Sequence, residues 1–237
     1  MSKRKKINSA KPYLFDFVVI VLGVTVSFWF NQLATKRNDN KERLKVLNNI
    51  EKESSEVSKY CEERLRAWKD DISLYSELLS DDFSLNRIKK ITSSKTRVEF
   101  NLIYFRDFEP PMNRYNSMIS SGNIKFVKSE GVKETLSRLH TLNFSSLKSS
   151  VEYERSLKTQ LTRILSERHS AVLLAAQNSS VSINKYVELL HKSIRDDVEL
   201  RSALTIQLNY FKTRVSLLRL YMYTLDELDR LVIELLN

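Results

Sequence analysis

The chain has 237 residues, enough for one domain of ordinary size plus an additional segment, yet it contains only three Gly and three Pro. That scarcity excludes turn-rich all-β folds and α/β folds with glycine-rich loops, and it favours long helices. A single cysteine, Cys61, excludes an internal disulfide and a cysteine-based zinc cluster, and a net charge of +10 suits an anionic neighbour such as lipid headgroups, nucleic acid or an acidic protein.

The N-terminal region has the layout of a membrane anchor. A basic tail, residues 1–12, contains Lys3, Arg4, Lys5, Lys6 and Lys11. Residues 13–33 follow and are apolar except for Asp16, Asn31 and Gln32. They reach the roughly 20 residues that a helix needs to cross a bilayer, and aromatic side chains at both ends fit the headgroup level. We therefore predict a transmembrane helix over residues 13–34.

Two other interpretations of this apolar stretch are disfavoured. A cleaved signal peptide would have small residues at both cleavage positions, which residues 31–34 lack. A buried core helix would not be flanked by basic residues or end in aromatic clusters. Basic residues lie on both sides, so charge leaves the orientation open. The dense short tail favours an inside N-terminus and an outside soluble part, whereas Cys61 and the positive charge suit the inside.

A polar stripe follows one face of the predicted transmembrane helix. Asp16, Ile20, Gly23, Ser27 and Asn31 are separated by steps of four, three, four and four. Gly23 and Ser27 form a small-xxx-small pair, which lets two helices approach closely. An acid at the centre of a lone membrane helix costs about 3 kcal/mol, and less near an interface. Self-association relieves this cost, and the stripe is either the lining of an ion path or an ordinary packing face.

The first helix of the remaining chain is predicted over residues 39–79. Its apolar residues recur at steps of three and four, typical of a coiled coil, and no Gly or Pro separates it from the membrane segment. A smaller insert follows over residues 82–125. It contains a short helix at 85–91, a stretch at 97–108 that is either helix or strand, and a helix at 112–120 that stops at Gly122.

Two more long helices are predicted, over residues 129–177 and 197–236, with a short helix at 184–192 between them. In the last helix, nine of ten positions spaced by four and three are apolar, and Asp229 is the exception. A second apolar face beside them is typical of a bundle. The expected fold class is all-α: an N-terminal transmembrane helix followed by a soluble domain, residues 35–237, of long antiparallel helices in a coiled-coil-like bundle.

Patterns that would indicate catalysis or metal binding are weak. His140, His169 and His191 lie far apart and outside any HExxH motif. The three pairs of adjacent Asp residues point in different directions on a helix, or cap one. Three glycines do not build a phosphate-binding loop, and no Gly-x-Ser-x-Gly elbow occurs. We expect no enzyme, no catalytic residue, and no cofactor or metal site.

Two basic clusters are candidates for contact with anions or phosphates. The second surrounds the start of a long helix, whose free N–H groups attract anions. The first lies beside Phe100, Tyr104 and Phe105, a combination suited to phosphate contact and base stacking. A solvated surface, or one facing anionic lipid, is favoured over nucleic-acid binding for both. The first cluster comprises Arg87, Lys89, Lys90, Lys95 and Arg97, and the second Lys125, Lys128 and Lys133.

Two stretches resemble a large bacterial family of single-pass membrane proteins that is known only as a domain of unknown function. One is Asp16 followed by Asn31-Gln32; the other is residues 115–127, YNSMISSGNIKFV, similar to that family's Tyr-x-x-Leu-x-x-Ser-Gly-x-(Leu/Ile) segment. Asp16 stands where relatives usually have Glu, and Trp29 precedes the amides instead of following them. The resemblance implies a topology in the bacterial inner membrane and no catalytic residues.

These observations predict a homo-oligomeric, single-pass membrane protein with an effector or signalling role. Its helical soluble domain would sense a signal or partner and control the packing of the membrane helices. This prediction includes a channel-like function of the packed membrane helices. The alternatives are a non-conducting, membrane-anchored scaffold that binds proteins, and a membrane-tethered nucleic-acid or nucleotide binder. The expected partners are the lipid bilayer, further copies of the chain and a protein; nucleic acid is not favoured.

Overall fold

The first helix, α1 (Ala10–Leu78), continues through 69 residues and contains both the apolar segment and the coiled-coil-like stripe. The computed structural model describes the backbone of residues 10–237 and the side chains from Tyr13 onward, so the predicted basic tail, residues 1–12, lies outside the described side chains. No Gly or Pro interrupts residues 24–78, so nothing in the local sequence breaks the helix. At 1.5 Å per residue, α1 is about 100 Å long. The apolar segment and the following helix, predicted over residues 13–34 and 39–79, thus form one rod.

Shorter and longer helices follow α1, and no strand occurs in residues 10–237. The all-α fold class is therefore confirmed for the part of the chain that the structure describes. The sequence left helix and strand open for residues 97–108; of these, 97–103 are helical and 104–108 are neither helix nor strand. The helices are α2 (Leu85–Ile91), α3 (Lys95–Ile103), α4 (Asn113–Ser120), α5 (Glu130–Ser137), α6 (Phe144–Arg168), α7 (Ser170–Gln177), α8 (Ile183–Asp196) and α9 (Val198–Leu236).

The three longest helices, α1, α6 and α9, pack side by side. Helix α9 is antiparallel to α1, because Arg43 donates to the carbonyl of Leu235 (3.1 Å) at one end and Arg201 donates to Asp81 (2.9 Å) at the other. It is also antiparallel to α6, where the Asn143 amide donates to the Thr224 hydroxyl at 2.8 Å. Long antiparallel helices were the predicted architecture, and this part of the prediction is confirmed.

The core of the bundle fills the space between these helices in two clusters. The one nearer the apolar segment includes Leu47, Val57 and Leu225, and the other lies toward the far end around Tyr75, Leu165 and Leu204. The stripe positions predicted on α1 and α9 are buried or half-buried. Helical periodicity therefore identified the side of each long helix that faces the core.

The predicted long helix over residues 129–177 is not continuous. It consists of α5, a π-helical turn (Arg138–Asn143), α6 and α7. The break between α6 and α7 falls at His169, whose φ is −132° and ψ is 36°. Its Nε2 atom lies 2.7 Å from the Asp197 carboxylate at the start of α9. A tertiary contact accompanies this break, and no Gly or Pro lies there to signal it.

Gly122 ends α4 in the way the sequence predicted. Its φ of 69° is left-handed backbone, which glycine adopts without the steric cost that a Cβ imposes. A 3₁₀ turn (Asn123–Phe126) follows and packs on α1. The insert between α1 and α5 thereby folds back onto the side of the first helix.

Candidate functional site

The apolar segment of α1 stands clear of the bundle. Its large apolar side chains from Tyr13 to Phe30 are 44–75% exposed. Among the described residues, α1 is the one helix that is long and apolar enough to cross a membrane, and none of its apolar window is covered by the rest of the chain. Apolar surface left in water costs roughly 25 cal/mol per Å². Lipid or another apolar surface that covered this segment would therefore stabilise it.

The predicted polar stripe forms a shallow groove on this segment. The groove is lined by Gly23, Val24, Ser27, Phe28 and Asn31, which brings three of the five stripe residues together. The Ser27 hydroxyl donates to the carbonyl of Gly23 at 2.8 Å, so its hydrogen-bonding need is met within the helix. A Cβ at Gly23 would meet nothing within 4 Å, so the groove is open to an approaching helix.

Asp16 is the first residue of the stripe and lies apart from the groove. It precedes Gly23 by seven residues, or about 10 Å along the helix axis. This distance places the carboxylate near the start of the apolar segment. Asp16 thus lies about two helical turns before the groove, near the start of the apolar segment.

The first basic cluster is largely engaged in contacts within the chain. Arg87 donates to Glu77 at 2.7 Å and to Asp82 at 3.3 Å. Arg97 pairs with Asp70 at 3.0 Å, and the Lys95 ammonium donates to the backbone carbonyls of Ala175 (3.2 Å) and Asn178 (2.5 Å). Lys89 and Lys90 are exposed and form no hydrogen bond or ion pair with another described residue. Two of the five predicted cations are thus available to an external anion.

The aromatic rings beside this cluster are also in contact with neighbours. Phe100 stacks on Tyr104 at 5.3 Å between ring centres, and the Arg106 guanidinium lies 4.7 Å from the Phe100 ring. The Arg155 guanidinium lies 4.5 Å from the Phe105 ring. A base that stacks on either phenylalanine would have to displace one of these cations. The geometry gives no support to single-strand binding at this surface.

The second basic cluster lies at the end of the bundle from which the apolar segment emerges. A Cβ built on Gly131, on the first turn of α5, would lie 3.8 Å from the Leu231 side chain near the end of α9, so the two helix ends are neighbours. Arg43 of α1 binds the same end of α9. Lys125 and Lys128 are exposed next to this end, whereas Lys133 pairs with Glu130 at 2.9 Å. The sequence grouped these lysines but did not place them beside the part of α1 that follows the apolar segment.

The histidines and paired aspartates have structural partners. His191 stacks on Phe83 with ring centres 4.0 Å apart, and His169 lies against Asp197. The paired aspartates make separate contacts: Asp70 with Arg97, Asp71 with Arg106, Asp81 with Arg201 and Asp82 with Arg87, while Asp197 caps α9. No group of three His, Cys, Asp or Glu side chains within residues 13–237 is arranged to hold a metal ion.

A buried ionic group at the centre of the bundle escaped sequence reasoning. Arg214 of α9 is fully buried and forms an ion pair with Glu154 of α6. The Arg214 guanidinium carbon also lies 4.1 Å from the Trp68 ring. The Lys158 ammonium, one turn after Glu154, donates to the Tyr75 hydroxyl at 2.8 Å and to the Asn101 carbonyl. These four ionic and phenolic side chains link three helices and the insert.

Burial shifts the proton affinities within this group. Loss of hydration lowers the pKa of Lys158 to about 7, against the opposing attraction of Glu154. The same loss raises the pKa of Glu154, although Arg214 and Lys158 act in the other direction. The side chains of this group are closed to solvent, and their contacts hold α1, α6, α9 and the insert together. The sequence gives little indication that these charged side chains are buried, because charged residues on a long helix are usually exposed.

A cavity of about 220 Å³ lies between α1, α4, the π-helical turn and α9. Its apolar wall includes Ile50, Met118, Leu139 and Leu225. Its polar side chains include Glu53, Ser54, Tyr115 and His140. The residues come from four separate parts of the chain, so no sequence interval could predict it. Segment 115–127, singled out by its family resemblance, supplies part of the lining.

The rings of Tyr115 and His140 stack at the cavity, with centres 3.7 Å apart and planes at 13°. Burial lowers the pKa of His140 to about 4, so the imidazole is neutral near pH 7. Burial raises the pKa of Glu53, while the backbone N–H groups of Arg114 and Tyr115 donate to this carboxylate and lower it. Glu53 thus anchors the start of α4 to α1.

No protein-family model, curated protein or solved structure matches the chain. The resemblance based on Asp16 and on segment 115–127 therefore stays a prediction. The function has to be argued from the geometry of the apolar segment, the basic surfaces and the cavity.

Proposed function

We propose that this protein is a homo-oligomeric, single-pass membrane protein, without enzymatic activity, that acts as an effector or signalling component. In this proposal the helical bundle controls how the transmembrane helices pack. The observation that carries it is the continuity of α1, whose first part is an exposed apolar helix and whose second part is a wall of the bundle. A bacterial inner membrane is the proposed location.

Self-association is supported by the groove at Gly23 and Ser27. Small residues let two helix backbones come close, which favours packing between helices in lipid. The groove meets no other part of the chain, so a second copy of the same helix has access to it. Asp16 lies on the same face, and an oligomer would remove its carboxylate from lipid.

Coupling between bundle and membrane is supported by the packing of α1 against α9. The contacts extend from Arg43, ten residues after the apolar segment, to Leu79 at the far end. Because an unbroken helix resists bending, a change in how α9 packs against α1 would alter the tilt or rotation of the membrane-spanning part. The bundle and the span therefore behave as one mechanical unit.

The bilayer surface is the proposed partner of the basic residues near the membrane. Lys36, Arg37 and Lys41 follow the apolar segment on α1, and Lys125 and Lys128 lie at the same end of the bundle. Each basic side chain near an anionic surface contributes about 1 kcal/mol of attraction. This arrangement favours lipid headgroups over nucleic acid as the anionic neighbour. Positive charge on both sides of the span leaves the orientation to experiment.

Disulfide cross-linking in membranes tests the proposed helix contact. We expect Ser27→Cys to form disulfide-linked dimers on oxidation, because residue 27 lines the groove. Thr25→Cys is the matched control, since Thr25 is also a hydroxyl residue bonded to its own backbone but lies about 160° around the helix. Native Cys61 is buried with its thiol pKa raised to about 12, so it will not compete. Equal cross-linking at both positions, or none at residue 27, would refute the contact.

The channel-like part of the proposal has its own test. Expression of the wild-type protein is expected to change the membrane potential of the host cell, and Asp16→Leu is expected to remove this change. Asp16→Glu retains the charge and should behave like the wild type. If expression of the wild type leaves the membrane potential unchanged, the channel-like part of the proposal is wrong. The protein would then be a non-conducting oligomer, and the cross-linking experiment tests that oligomer independently.

A further inference from the structure

The cavity beside the membrane-proximal half of the bundle has a feature that packing alone does not explain. The Ser54 side chain lines the cavity, is only 3% exposed, and its hydroxyl has no hydrogen-bond partner. On the same helix, the hydroxyls of Thr25, Ser27 and Ser73 each donate to the carbonyl four residues earlier. Ser54 makes no such bond. A buried hydroxyl without a partner costs roughly 1–3 kcal/mol.

A carboxylate oxygen on the facing helix, α9, is also buried without a hydrogen-bond partner. Asp229 is the one polar residue in the apolar stripe of α9, and its Oδ1 atom is buried without a partner. Burial raises the pKa of Asp229, which the nearby Ser54 lowers. The Ser54 hydroxyl therefore lies close to this carboxylate, although the two side chains form no hydrogen bond of ordinary geometry. Asp229 itself lies outside the cavity lining, so the unused hydrogen-bonding capacity at the polar edge of the cavity is that of Ser54 on α1.

The charged groups that line the cavity are compensated within the protein. Glu53 accepts the backbone N–H groups at the start of α4, and the Arg114 guanidinium is bound to Glu56 at 2.6 and 2.9 Å. His140 is neutral near pH 7. An ionic ligand would find no unpaired charge among these groups and would lose its hydration on entry. The lining thus selects for a neutral molecule.

The size of the cavity limits the ligand further. An apolar cavity of roughly 150 Å³ accommodates benzene, and this one measures about 220 Å³. It suits a molecule the size of a bicyclic aromatic ring system. Apolar side chains from Ile50, Met118, Leu139 and Leu225 would contact the ring faces, and Ser54 lies at the polar edge.

We infer that the cavity is a binding site for a small, neutral, mainly apolar molecule of bicyclic size with one hydrogen-bonding group, which the Ser54 hydroxyl recognises. The ligand contacts α1, α4 and α9 together and so binds the packed bundle in preference to the unfolded chain. Binding stabilises the folded state in proportion to ligand concentration. This inference does not depend on oligomerisation or conduction.

Binding of indole to the full chain in lipid nanodiscs tests the inference. Indole has a bicyclic ring and one N–H group that can donate to the Ser54 oxygen. Isothermal titration calorimetry, with empty nanodiscs as the reference for partition into lipid, is expected to give saturable binding with one site per chain. Ser54→Ala should weaken this binding roughly fivefold, the equivalent of one neutral hydrogen bond. Ser73→Ala, which removes a hydroxyl bonded to its own helix, should leave it unchanged.

Filling the cavity provides a second, independent variant. Met118→Trp places a large ring in the cavity and should abolish saturable binding, whereas Ile119→Trp changes the adjacent, exposed residue and should not. If Met118→Trp fails to fold, the comparison of indole binding by Ser54→Ala and Ser73→Ala still tests the inference. The inference is overturned if wild-type uptake equals that of empty nanodiscs, or if Ser54→Ala and Ser73→Ala bind indole equally well. Cross-linking at residue 27 is unaffected by either result.

Discussion

Arg214 illustrates how a single side chain in this bundle depends on its partners. The guanidinium is removed from water, bound to the Glu154 carboxylate and placed over the Trp68 ring. A buried cation without its anion costs several kcal/mol, whereas a buried pair is roughly balanced against an apolar replacement. The pair therefore contributes specificity to the packing of α6 against α9 more than it contributes net stability.

Replacing Arg214 alone should destabilise the protein strongly. We expect Arg214→Met to lower the free energy of unfolding by about 3–5 kcal/mol, because Glu154 would remain buried without a counter-charge. Arg219→Met on the exposed side of the same helix should change it by less than about 0.5 kcal/mol. Urea unfolding of the full chain in nanodiscs measures both. The double variant Arg214→Met with Glu154→Leu should recover much of the loss; a further decrease would contradict this account.

His140 should make the folded state sensitive to acid. Its ordinary pKa is near 6.5, and burial lowers the folded-state pKa to about 4. Between these values the unfolded chain binds more protons, so stability from this group is complete above pH 6.5 and is lost as pH falls toward 4. Relative to His140→Gln, the wild type should therefore lose stability on acidification within that window. Parallel stability curves for the two proteins between pH 7 and 4 would exclude this role.

At the scale of elements, helix ends reveal how the chain reverses direction. Helix α9 begins after Asp197, whose carboxylate accepts the backbone N–H groups of Glu199 (2.8 Å) and Leu200 (3.2 Å). The same carboxylate is bound by Arg168 at 3.0 Å and lies against His169, where α6 ends. One aspartate thus caps the start of one long helix and holds the end of another.

Removing this cap should cost more than removing an ordinary surface acid. We expect Asp197→Ala to lower the free energy of unfolding by about 1–2 kcal/mol, because two backbone N–H groups lose their acceptor. Asp196→Ala is the matched control, since the neighbouring carboxylate is exposed and caps nothing. Thermal unfolding followed by circular dichroism measures the difference. Equal effects of the two substitutions would show that the cap is unimportant.

At the scale of the whole molecule, the chain consists of a covered part and an uncovered part. The core clusters begin with Val46 and Leu47 on α1, and no side chain from Tyr13 to Phe30 contributes to them. The bundle should therefore not require the apolar segment for its own stability. The segment and the bundle share a helix but are stabilised by different surroundings.

Two truncations test this division. A chain that begins at residue 35 should unfold within about 2 °C of the full-length bundle, because no core contact is removed. A chain that begins at Glu51 loses Val46, Leu47 and Ile50 and should be destabilised by several kcal/mol, since each buried aliphatic side chain contributes about 2–3 kcal/mol. Differential scanning calorimetry compares the two. A large loss of stability on removal of residues 1–34 would mean that the segment packs against the bundle.

The sequence by itself determined the helical class, the apolar segment and the buried stripes of α1 and α9. These features depend on local intervals: few helix breakers, a run of apolar residues, and apolar residues every three or four positions. The stop at Gly122 was equally local, since a left-handed residue after a helix favours glycine. Each of these sequence patterns is recognised from residues that lie within one or two helical turns of each other.

Only the tertiary structure decided the break at His169, the burial of Arg214 and Lys158, and the existence of the cavity. The hydrogen-bonding partners of these side chains lie 28 to 83 positions away in the chain, and Trp68 lies 146 positions before Arg214. An arginine on a helix gives no local indication of whether a glutamate and a tryptophan from two other helices will enclose it. Periodicity identifies which side of a helix is buried, but the polar contacts and empty space at that side depend on which helices meet there.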